Sequence, residues 1–145
     1  MEQNKKELKW LSIVILALVA LSLIRAIVNV CINGLPVAKD VPAGMTKELV
    51  QIVTIIAFVA SLLLLLPQIY LGVKGLKIAN GAESGKAHLV WAIVLIVLSA
   101  IAAINGISNL TKVFNLDSVM NLLGPAVDVL LFVCYYVYAR KIANN

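Results

Sequence analysis

Charged residues are scarce in this chain, at 13% of 145 positions, while 62% are hydrophobic. A soluble domain of this size leaves a large share of its residues at the surface and could not hide that much apolar area. The mean hydropathy of +1.02 therefore points to a bilayer as the solvent. Cysteine is nearly absent, and Cys31 and Cys134 lie far apart without a CxxC. In the layout below they sit at different membrane depths, which disfavours a disulfide between them. A single histidine, His88, cannot complete a bis-histidine haem or a His/Cys zinc site within one chain. The sequence also lacks HExxH, a glycine-rich phosphate loop, a nucleophile–base pair and a second carboxylate to work beside Asp128. The expectation is a protein without catalytic residues, cofactor or metal. No basic cluster interleaved with aromatics suggests nucleic acid, so the net charge of +5 reads as membrane topology.

Apolar runs long enough to cross a hydrocarbon core fall at residues 10–32, 49–71, 88–109 and 119–138. Each must be helical, because a lone strand leaves its backbone groups unsatisfied in lipid. The first run is too long for a signal peptide and lacks a small-x-small cleavage site, so it reads as a retained span. The fold expected is all-α: an integral-membrane, four-helix (tetraspan) bundle forming a single domain. Lys5, Lys6, Lys9, Lys74, Lys77, Lys86, Arg140 and Lys141 would lie on one side, and only Lys39, Lys47 and Lys112 on the other. The positive-inside rule then puts both termini in the cytoplasm of a cell whose plasma (inner) membrane holds the chain. Residues 12–29 align without a gap over 92–109, and KIAN recurs at Lys77 and Lys141. These features suggest a weak tandem repeat of two helical hairpins.

Polar residues inside the spans carry the functional information, since each is costly unless it faces protein or water. Gln51, Thr54, Ser61 and Gln68 form one stripe in span two, and Ser22, Arg25, Asn29 and Asn33 one in span one. Span four contributes Asn121, Pro125, Asp128 and Tyr135. Span three contributes His88, Ser99, Ala102, Gly106 and Asn109, with Asn105 beside them. Arg25 and Asp128 are the only charges placed well inside the spans. Counted from the outer ends, they lie about 10 Å and about 14 Å deep at 1.5 Å per residue. A buried Arg25–Asp128 ion pair is therefore expected, with Asn29, Gln51, Thr54, Asn105, Asn121 and Tyr135 as its polar surroundings; the alternatives are an Arg25 that reaches the outer interface and an Asp128 protonated in an apolar site. Pro125, one turn before Asp128, should kink its helix and free a carbonyl. Pro67 should kink span two. The dipeptide Pro67-Gln68 resembles the signature of PQ-loop transporters, whose three-helix units differ from this four-span layout.

Two functions fit these residues. The first is a contact-making membrane subunit, an accessory, scaffold or oligomer-forming protein. Its partners would be the bilayer, further copies of the chain or a larger membrane protein. The second is a small oligomeric transporter or channel in which Arg25 and Asp128 bind a solute, ion or proton.

Overall fold

The computed structural model describes residues 2–38, 40–82, 85–112 and 114–144, and these form helices without strands. Helix α1 covers Glu2–Asn33, α2 Lys47–Leu63, α3 Leu65–Ala79, α4 Ala87–Lys112 and α5 Leu116–Ala143. With α2 and α3 taken together, four helical segments are long and apolar enough to cross a membrane. That makes the chain a multi-pass membrane protein by length and composition.

Local chemistry sets the helix ends. Thr46 caps α2 by accepting a hydrogen bond from the Leu49 amide at 3.3 Å. Asn115 caps α5 in the same way through the Ser118 amide at 2.7 Å. Gly34 and Gly44 turn the first loop at φ of 74° and 89°, a region that residues with a Cβ avoid. The long second span breaks at Leu64, three residues before Pro67. Proline has no N–H for the Leu63 carbonyl, and its ring crowds that oxygen. Pro125 acts differently, since α5 runs through it without interruption. The carbonyl it leaves without an N–H partner belongs to Asn121, four residues earlier. That oxygen lies against Gly106 of α4, where an added Cβ would stand 3.0 Å from it and 2.9 Å from Leu122 Cα.

Packing is uneven. Helices α4 and α5 pack most extensively, followed by α1 with α3 and then α1 with α5, while α2 barely touches α3. The core gathers Leu8, Ile15, Leu71, Ile78, Ala92, Leu95, Phe132, Tyr135 and Ala139. Those residues belong to the first part of α1 and α4 and the last part of α3 and α5. The core therefore sits toward the end that carries both termini, here called the terminal end. Beyond Val19, α1 buries nothing, and α2 buries nothing anywhere.

Candidate functional site

Where helices meet at the terminal end, the contact is polar at its centre. Tyr135 is fully buried and donates its hydroxyl to the Leu71 carbonyl at 3.0 Å. Ser12, also fully buried, donates to the Leu8 carbonyl at 2.7 Å. Gly75 lets these helices close: a Cβ there would overlap Ser12 Oγ and stand 2.7 Å from Tyr135 Cε2. Gly72 does the same beside Leu16. The His88 ring meets Tyr135 edge-on, with centroids 6.0 Å apart and planes at 87°. His88 is only 1% exposed, and among the described residues neither ring nitrogen has a hydrogen-bond partner. A buried donor or acceptor left unpaired costs about 1–3 kcal/mol, which sets this imidazole apart from its apolar neighbours in the core. The sequence places His88 on the polar face of span three but carries no sign of its full burial. Ser12, Gly72 and Gly75 were equally hidden, although Ser12 keeps step with Leu8, Ile15 and Val19.

The stripes on α1 and α5 fix how the two helices align. The buried residues of α1 are Leu8, Ser12, Ile15 and Val19. On α5, Ala139, Tyr135 and Phe132 are buried and Asp128 is half-buried. Read in opposite directions, both stripes step by four, three and four residues. Gly75, touching Ser12 and Tyr135 together, pins that match, and it sets Asp128 opposite Val19. Arg25 lies six residues further along, about 9 Å at 1.5 Å per residue.

The Arg25–Asp128 ion pair expected from the sequence is accordingly not formed. Among the described residues there is no salt bridge, and Arg25 is exposed. Depths counted from the span ends assumed that those ends were level, whereas core packing sets the register. Above Val19 the same face of α1 continues as Ser22, Ala26, Asn29 and Asn33. Of these only Ala26 is half-buried, and the rest are exposed. The matching face of α5 continues as Pro125, half-buried, and Asn121, exposed. The helices are thus zipped as far as Asp128 and uncovered beyond it.

The remaining polar residues make local bonds. Asn29 accepts from Asn33 Nδ2 at 2.7 Å, and Thr54 donates to the Val50 carbonyl at 2.8 Å. Gln51 ties α2 to the first loop twice: its Nε2 donates to the Pro36 carbonyl at 2.9 Å, and its Oε1 accepts from the Ala38 amide at 3.0 Å. Asn105 is exposed on α4. Both cysteines are free and exposed. Between α1 and α2 lies a groove of about 230 Å³ lined by Leu23, Ala26, Ile27, Val30, Cys31, Phe58 and Leu62. Among the described residues no three metal-binding side chains converge.

Fold and site together define a class, that of multi-pass helical membrane proteins with one packed half and one open half. No protein-family profile, curated protein or solved structure matches the chain closely enough to narrow that class.

Proposed function

We propose that the chain is a non-catalytic subunit of the plasma (inner) membrane, with both termini cytoplasmic, that works through helix–helix contacts. Its partners are further copies or a larger membrane protein. The observation that carries this reading is the uncovered half of the first hairpin, where neither α2 nor α1 beyond Val19 buries a residue. Lipid covers apolar side chains as well as protein does, but Arg25, exposed within the apolar run, needs either a reach to the outer headgroups or acceptors on a neighbouring helix. A charge at the bilayer centre costs roughly 2.5–3.5 kcal/mol on insertion scales. A neighbouring helix can supply acceptors, and the small residues of these faces allow close approach.

The test is a photo-reactive group at Ile56, exposed on α2, compared with one at Val90, exposed on α4. After irradiation in native membranes, Ile56 should give a defined protein adduct and Val90 mainly lipid. Lipid adducts alone from Ile56 would rule the reading out.

A small oligomeric transporter or channel is the second reading. It is favoured by Asp128, a half-buried carboxyl sitting where the zipped contact ends.

A further inference from the structure

The terminal end has a feature that the assembly reading does not use. Glu2, Lys5, Lys6 and Lys9 stand at three- and four-residue separations, which places them along one side of the first turns of α1. Together with Ala79 and Asn80, at the end of α3, they line a cleft of about 620 Å³. Lys5 is half-buried, and Lys6 and Lys9 are exposed.

Three ammonium groups against one carboxylate leave this cleft positive. Lys5 and Lys9, one turn apart, repel each other, and the start of α1 adds the positive end of its backbone dipole. No salt bridge among the described residues relieves that repulsion, so an anion is the favoured occupant. Depth narrows its nature. The apolar run begins at Trp10, so Lys6 and Lys5 lie about 6 and 7.5 Å further toward water at 1.5 Å per residue. The headgroup layer on each side of a bilayer is about 5–8 Å thick. These lysines therefore share a level with lipid phosphates. Ala79 offers no bulk to fill the cleft, and the Asn80 amide adds hydrogen-bonding capacity on the far wall.

We propose that the cleft between the start of α1 and the end of α3 binds the phosphate of an anionic phospholipid headgroup, held by Lys5, Lys6 and Lys9. The bound lipid would bridge the two helices just below the core, beside Ile78 and Leu8.

The full chain is reconstituted in phosphatidylcholine bilayers with and without phosphatidylglycerol, and the lipid that stays bound on gentle release is counted by native mass spectrometry. The variant Lys5→Gln/Lys6→Gln/Lys9→Gln is compared with Lys86→Gln/Arg140→Gln/Lys141→Gln, which removes equal charge at the same end. Helix content by circular dichroism establishes that both variants are folded, and Lys5→Gln alone serves if the triple variant is not. Retained phosphatidylglycerol should fall about fivefold per lysine removed from the cleft and stay near wild type in the control. Equal losses in both variants would mean diffuse surface charge, no loss in either would mean that these lysines do not hold the lipid, and either result would overturn the site. Retention of phosphatidylcholine as strong as that of phosphatidylglycerol would overturn it too. A final arm adds inorganic phosphate to the bilayers that contain phosphatidylglycerol, and displacement of the retained phosphatidylglycerol would assign the cleft to a soluble phosphate and overturn the lipid.

Discussion

At the scale of single residues, a glycine decides more than any charge. Gly75 is where α3 touches both Ser12 of α1 and Tyr135 of α5, so three helices depend on one missing methyl group. Gly75→Ala should lower stability in detergent micelles by about 1–3 kcal/mol, the usual cost of overpacking a close contact. Gly124→Ala makes the comparison, because nothing apart from its chain neighbours lies within 4 Å of a Cβ at that position. It should cost less than Gly75→Ala, since alanine is the better helix residue and only the adjacent Pro125 ring opposes the added Cβ. Unfolding titrations that rank the two variants the other way would contradict the described packing. The sequence made Arg25 and Asp128 conspicuous because charge is rare in it. It gave no comparable sign of Gly75, because a glycine's role depends on which neighbour approaches, and that is a tertiary fact.

At the scale of elements, the helices were readable and their contacts were not. Length and apolarity alone define four spans; three of the expected runs fall inside single helices, and 49–71 crosses from α2 into α3 at Leu64. The pairing of Arg25 with Asp128 failed because depth measured from span ends carries no information on register. The repeated step of four, three and four on α1 and α5 did contain the register, once burial showed which stripes meet. Pro67 gives this scale its test. Pro67→Ala restores an N–H for the Leu63 carbonyl and should join α2 and α3 into one straighter helix. Straightening a kink of about 20° over the roughly 9 Å from Leu64 to Phe58 moves Phe58 by about 3 Å. Spin labels at Ile27 and Phe58, across the apolar groove, report that shift directly, with Cys31 and Cys134 replaced by serine. An unchanged distance distribution would show that the proline is not what holds α2 away from α1.

At the scale of the whole molecule, the chain is closed at one end and open toward the other, with Asp128 at the boundary. The ungapped alignment of residues 12–29 over 92–109 sets Ala26 of α1 over Gly106 of α4. In the second hairpin that position packs onto the backbone of α5, whereas in the first it faces the groove beside α2. The two readings of function divide on this asymmetry. A subunit that only makes contacts should not pass protons, and Asp128→Asn should leave it folded and assembled. A proton pathway through the boundary would acidify vesicles loaded with a pH-sensitive dye, and Asp128→Asn would abolish that signal by removing the ionisable group. Proton entry with the wild-type chain and none with the variant, both normally folded, would sink the contact-only reading.

The close packing of α4 on α5 also bears on how the chain enters a bilayer. Segment α5 is the least apolar of the four candidate spans, and it carries Asp128 and a mid-helix proline. Left to partition from water alone, it has the weakest drive into hydrocarbon. Helix α4 precedes it in the chain, and Gly106 offers a backbone surface against which the Asn121 oxygen is sheltered from lipid. The span with the weakest drive into hydrocarbon is thus the one with the most extensive helix partner, and that partner directly precedes it in the chain. The span made of α2 and α3 is by contrast the most apolar of the four, and α2 fully buries none of its residues.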